Sequence, residues 1–193
     1  METKDSDLQI LKQFQGFINT KLMIDQLPNT AISSFKIEPI EGDRQIDSFP
    51  FDDSRKFNFL GKRAEIFFKH YLKLSKRYFE IAYSLQIIDD KTTVGEFDFI
   101  CRDTFLAETL HVELVNKIYL YDDTLHEDPD LCWIGPNRRD RFIDKLEKLR
   151  SQQVPLLYHP KADDIFSELH VDPWKVKQKL CFKAILFIPE QCH

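Results

Sequence analysis

The sequence predicts a layered fold of the α/β or α+β kind, a β-sheet covered by helices. Three observations predict it. The middle of the chain reads helix, three strands, helix, then one or two strands, the order that layered sheets and helices produce. The apolar spacing changes from helical to alternating just where the strands begin. Apolar residues make up 42% of 193 positions and include 17 Phe, 6 Tyr and 2 Trp, enough to fill a core between layers.

The elements follow in order. Asp7 to Ile18 carries Leu8, Leu11, Phe14 and Ile18 at helical spacing, with Asp5, Ser6 or Asp7 as its cap. Pro28, Pro39, Gly42 and Pro50 then interrupt the chain. Glu38 to Asp53 holds six acidic residues against Arg44 alone and reads as an irregular acidic surface segment. A second helix spans Leu60–Ser75 on the stripe Leu60, Ala64, Phe67, Phe68, Tyr71 and Leu72. Strands are expected at Phe79–Ile88, Thr93–Cys101 and Glu108–Tyr121, punctuated by Asp89-Asp90-Lys91 and Arg102-Asp103. After an acidic loop, Asn137 is expected to cap a helix that runs to Gln152 along Phe142, Leu146 and Leu149. Val154–Tyr158 reads as a short strand, and Leu180–Ile188 as a strong one stopped by Pro189.

Composition also excludes. Five Gly and nine Pro rule out collagen-like and linker-like chains, and no internal repeat is present. The net charge of −5 argues against a whole-protein electrostatic grip on nucleic acid and leaves room for a local basic cleft. The first residues are acidic and polar rather than basic then apolar, and the longest apolar run, Ala184–Ile188, is too short to span a bilayer. The four cysteines lack Cys-x-x-Cys spacing and read as free thiols, so the expectation is a soluble cytoplasmic protein with no membrane segment.

The chemistry sits in the middle strands. In Gly95-Glu96-Phe97-Asp98-Phe99, alternation puts Phe97, Phe99 and Cys101 on one face and Glu96, Asp98 and Ile100 on the other. In the third strand, Val112, Leu114, Ile118 and Leu120 share a face, opposite His111, Glu113, Val115, Lys117 and Tyr119. Carboxylates in apolar strands are costly unless they are paired or bind a cation. Adjacent strands bring Asp98 toward Glu113, and two close carboxylates repel until a proton or metal relieves them. Magnesium suits such a pair, because it takes a few carboxylates together with water and phosphate oxygen.

Here the chain resembles the PD-(D/E)XK nuclease superfamily, in Glu65 on a helix, Asp98 on a strand, and Glu113 followed by a lysine. The stretches Leu-Gly-Lys-Arg-Ala-Glu, Gly-Glu-Phe-Asp-Phe, His-Val-Glu-Leu-Val-Asn-Lys-Ile-Tyr-Leu and Trp-Ile-Gly-Pro-Asn-Arg-Arg-Asp resemble more closely an uncharacterised bacterial family of unknown function. The resemblance covers roughly residues 58–190. It divides the chain into residues 1–57, a helical arm with the acidic segment, and residues 58–193, a nuclease-like core. It implies a three-layer α/β/α fold on a central mixed sheet, restriction-endonuclease-like, and an enzyme that hydrolyses DNA phosphodiesters with Mg²⁺ or Mn²⁺. By position, Asp98 would be the central metal ligand, Glu113 the second, the Leu114 carbonyl a third, and Glu65 a direct or water-mediated ligand.

One position departs from the pattern. The residue two after Glu113 is Val115 and not lysine, while Lys117 lies four after, about 13 Å along an ideal strand instead of about 7 Å. Lys117 is therefore the expected catalytic lysine, with Lys145 on the next helix a further donor. Residues 61–77 carry six basic side chains against Glu65, and 137–150 carry six against three acidic ones. A phosphate-binding cleft is expected on Lys62, Arg63, Arg138, Arg139 and Lys145, with the two arginines in a first helical turn whose N–H groups attract anions. Glu96 is a further candidate for an auxiliary ligand, His111 reads as a packing or surface residue, and Gly95 would let the strand bend. The alternatives are a non-catalytic nucleic-acid-binding module on the same fold and a protein-interaction domain whose aromatic N-terminal arm docks a partner.

Overall fold

Alternation between apolar and polar positions folds the middle of the chain into a meander, and everything else packs against it. The computed structural model describes residues 2–40 and 59–190. Their regular elements are α1 (Glu2–Asn19), α2 (Leu60–Ser75), β1 (Tyr78–Asp89), β2 (Thr92–Asp103), β3 (Glu108–Tyr121), β4 (Trp133–Ile134), α3 (Phe142–Lys148), α4 (Pro160–Glu168) and β5 (Lys177–Phe187). Strands β1, β2 and β3 pair antiparallel, and β4 adds two residues to the far end of β3. β5 lies parallel to β3 from Leu110↔Lys177 to Leu120↔Phe187. The result is a five-stranded mixed sheet.

Helices cover both faces, so the fold is a three-layer α/β/α sandwich. On one face α1 and α2 bury Phe14, Phe17, Phe67, Phe68 and Tyr71 against Phe99, Cys101, Leu110 and Val112. On the other, α3 packs Phe142, Leu146 and Leu149 on Val115, Tyr119 and Phe182. Beside it, α4 packs Ala162 and Phe166 on Ile87, Phe97 and Ile100. Residues after α1 run along the outer edge of β5, where Met23 N–H donates to the Phe182 carbonyl and Phe35 N–H to the Leu180 carbonyl. Phe14, Phe17 and Phe35 are thus core residues of the same sandwich.

Several boundaries differ from expectation for local reasons. α1 starts at Glu2, so Asp5, Ser6 and Asp7 lie inside it and do not cap it. Asn137 caps no helix: Gly135 to Asp140 close a turn through Gly135 N–H to the Asp140 carbonyl, and α3 begins only after Arg141. Val154–Tyr158 is not a strand, because Pro155 opens a tight 3₁₀ turn there. α4 was not expected, although His159 caps it through Nδ1 and Pro160 stands at its first position. Most of the acidic segment Glu38–Asp53 lies outside the described residues. Cys101, Cys132 and Cys181 are buried free thiols. Among the described residues no helix is long and apolar enough to cross a membrane.

Candidate active site

The site forms where β2 and β3 part. Their pairing runs from Asp103↔Glu108 to Phe99↔Val112 and stops. One residue further, Asp98 Oδ2 accepts the Leu114 N–H at 2.8 Å, so a side chain takes over where the backbone ladder ends. Across β1, Ser84 lies between the pairs Tyr83↔Phe99 and Leu85↔Phe97 with φ at 51°. A non-glycine residue in the left-handed region inside a strand is uncommon and marks local strain. Phe97 here packs with α4 while Phe99 and Cys101 pack with α2, so the expected common face of the three is broken at Asp98.

Glu113 occupies the face of β3 beneath α3 and is 3% exposed. A buried carboxylate needs donors, and both of its oxygens have one. Oε1 faces His111 Nε2 at 3.0 Å, and Oε2 accepts Gln153 Nε2 at 2.7 Å. Gln153 in turn accepts Lys145 Nζ at 2.8 Å through its Oε1. His111 is fully buried, with its ring edge-on to Phe97 at 4.9 Å. Of these residues, β3 supplies Glu113 and His111, α3 supplies Lys145, and the wide turn that extends α3 from Leu149 to Gln153 supplies Gln153.

The charges reinforce one another. Burial pushes the Asp98 carboxyl up to about 8, the charges of Glu113 and Glu65 push the same way, and the Leu114 N–H and Lys145 oppose them. Burial lowers the Lys145 ammonium below the ordinary lysine range, while Glu113 and Asp98 pull it back. The charges of Glu113 and Lys145 thus both bear on Asp98, with opposite signs.

Glu65 and Glu96 form an adjoining cluster. Glu65 Oε2 accepts from Lys62 Nζ at 2.9 Å and from the Tyr83 hydroxyl at 3.0 Å. Glu96 accepts from Ser84 Oγ at 2.5 Å and from Gln86 at 3.3 Å, with Lys62 Nζ 3.7 Å away. Lys62 thus bridges two carboxylates. Gly95 sits at a register shift of the β1–β2 pair, where Ile87 pairs with Gly95 and Ile88 with Thr93, and a Cβ there would stand 2.7 Å from Leu156 Cδ2, so its bare backbone also makes room for the turn after α3.

The remaining expected residues are spread further. Lys117 Nζ pairs with Asp140 Oδ2 at 2.5 Å, and Val115, in the usual lysine position, is buried against α3. Arg63 bonds Gln13 on α1 at 2.9 Å. Arg138 pairs with Asp122 at 2.8 Å and Arg139 is exposed. Both arginines lie in the turn before α3, not in a first helical turn, so the expected anion attraction of helical N–H groups does not apply to them. Sequence reasoning missed Gln153, Gln178, Tyr83 and Ser84. Uncharged amides and hydroxyls so far from Asp98 and Glu113 in the chain carry no periodic or charge signal.

A divalent cation here would fall to Asp98 and Glu113, whose oxygens already face the Leu114 N–H, His111 Nε2 and Gln153 Nε2. Among the described residues, no group of three or more His, Cys, Asp or Glu side chains is arranged as a metal cage.

A protein-family model matches residues 28–193, that of a domain of unknown function, DUF1853. It crosses residue 57 without a break. No curated protein and no solved structure matches the chain.

Proposed function

The chain belongs to the DUF1853 family, and we propose that it is a metal-dependent nuclease hydrolysing phosphodiester bonds in DNA. One observation carries the reading: the paired carboxylates of Asp98 and Glu113 stand where two strands part, with the Lys145 ammonium joined to Glu113 through Gln153. A bound Mg²⁺ or Mn²⁺ would polarise the phosphodiester and lower the pKa of an attacking water.

The chain's own residues do the rest. Asp98 and Glu113 would hold the cation. Leu114 holds Asp98 through its N–H. Lys145 donates to the negative charge that develops on the phosphate. It takes the part that Lys117 was expected to play, since Lys117 is paired with Asp140. Glu65 and Glu96 hold Lys62, which is 43% exposed and available to a backbone phosphate beside the site.

A second reading is a DNA-binding module on this fold without catalysis. It draws on Val115 in the usual lysine position and on the donors that already occupy both Glu113 oxygens.

Calorimetric titration with Mn²⁺ tests the first reading without a choice of substrate. Binding to wild type that is lost in Asp98→Asn, followed by Mg²⁺-dependent cleavage of plasmid or oligonucleotide DNA lost in the same variant, is the expected result. DNA binding that survives Asp98→Asn without cleavage by either protein favours the binding module. Neither metal nor DNA binding in wild type overturns both.

A further inference from the structure

The buried face of the site carries a line of uncharged groups that meet the two oxygens of Glu113. Gln178, at the start of β5, donates its Nε2 to the Val154 carbonyl at 2.9 Å. That bond fixes the amide, so the same nitrogen faces His111 Nδ1 at 3.2 Å as a donor. Nδ1 is then the acceptor nitrogen of a neutral ring, and Nε2 carries the hydrogen that points at Glu113 Oε1, 3.0 Å away.

The other Glu113 oxygen is fixed by the same logic. Lysine only donates, so the Gln153 atom at 2.8 Å from Lys145 Nζ is Oε1. Gln153 Nε2 must then face Glu113 Oε2, and does at 2.7 Å. Every bond from Gln178 to His111, to Glu113, and from Lys145 to Gln153 to Glu113 has one permitted direction. The residues come from β5, β3, α3 and the turn after α3.

That turn has a feature suited to the task. It closes with Val154 N–H donating to the Leu149 carbonyl, five residues back, instead of four. Such a widened turn holds one extra residue, and widened turns recur at functional sites. Here it ends on Gln153.

We infer that Gln153 is a positioning residue that joins the Lys145 ammonium and the Glu113 carboxylate into one unit, with His111 and Gln178 fixing the other oxygen of Glu113. The inference rests on the nuclease reading of Asp98 and Glu113. Groups that orient a metal-binding carboxylate commonly change affinity or rate by about ten- to a hundredfold when removed.

The test uses wild type, Gln153→Leu and Gln178→Leu, each checked by urea unfolding. Gln153→Leu is expected to weaken Mn²⁺ binding about tenfold and to lower kcat on DNA with little change in KM. Gln178→Leu is expected to turn the single Nε2–H tautomer of His111, read from its ring ¹⁵N shifts, into a mixture. Wild-type Mn²⁺ affinity and kcat in a folded Gln153→Leu overturn the inference. The bonds are also read in wild type by NMR, independently of activity and of any variant's folding. Slowly exchanging Gln153 side-chain amide protons that shift in Glu113→Gln support the inference, and amide protons exchanging like those of an exposed glutamine overturn it. Wild type that neither binds Mn²⁺ nor cleaves DNA sinks the nuclease reading, and with it the catalytic part of the inference, while the amide signals still decide whether Gln153 holds Glu113.

Discussion

Asp98 meets two opposing demands. Its Oδ2 closes the end of the β2–β3 ladder, and its charge sits close to Glu113 and Glu65. In the unfolded chain an aspartate titrates at about 4, whereas in the fold burial and the neighbouring carboxylates push this one up to about 8. The folded state therefore holds more protons between those values, and the contribution to stability falls as pH rises through that window. With chelator present, wild type is expected to lose stability from pH 5 to pH 8 relative to Asp98→Asn, measured as urea midpoints. Equal slopes for the two proteins would show that Asp98 is not the group that titrates. Gly95 makes a second residue-scale prediction. A Cβ there meets Leu156 at 2.7 Å, on the far end of a flexible side chain in a packed cluster. Gly95→Ala is expected to cost about 1 kcal/mol by urea unfolding. A neutral or stabilising result would mean that Leu156 has room to move. Asp98 and Glu113 stood out in the sequence as candidates, because a charged residue within an apolar alternation is conspicuous. Between Lys117 and Lys145 the sequence left a choice of candidate, since a strand residue's reach depends on neighbours from other elements.

Among the elements, α1 is held by an unusual means. Lys183 on β5 is 1% exposed, and its ammonium donates to the carbonyls of Phe17 at 2.8 Å, Ile18 at 3.1 Å and Thr20 at 2.5 Å. These carbonyls at and just beyond the C-terminal end of α1 need donors, and a cation there also complements the helix dipole. Burial lowers the Lys183 ammonium, so the bonds must compensate for lost hydration. Lys183→Met keeps the stem and removes the donors, and is expected to cost about 3 kcal/mol. Amide exchange in α1 should rise more than in β3. Uniform exchange across the fold would instead mean that α1 does not depend on this anchor. A comparable tie joins the end of α2 to the end of β2, where Arg77 holds Asp103 through two nitrogens. Neither tie was readable from the chain: a lysine in an apolar strand looks like a solvated edge residue until the helix end that meets it is known. Strands β1 to β3 were legible because their alternation is local. The helix α4 was not, since its Ala162 and Phe166 gain their meaning only from contact with Phe97 and Ile87.

At the scale of the whole molecule, the net charge is −5 and many basic residues have acidic partners. Lys62 is bound to Glu65, Lys117 to Asp140 and Arg138 to Asp122. On the proposed function, DNA contact should therefore be local, with a slope of log affinity against log salt of about −2 to −3. Fluorescence anisotropy over a salt series measures it, and a slope twice as steep would reveal a broader basic surface than these residues offer. The sequence by itself determined the layered α/β class, the order of the main elements and the carboxylates that stand out from apolar strands. Periodicity and the cost of burying charge are properties of short stretches of chain. Only the tertiary structure decided that β2 and β3 part at Asp98, that Lys145 reaches Glu113 through Gln153, and that His111 holds its Nε2 hydrogen toward the same carboxylate. The physical reason is that a hydrogen bond between side chains depends on where two backbones lie in space, and residues from 98 to 178 meet only once the sheet and its helices have closed around them.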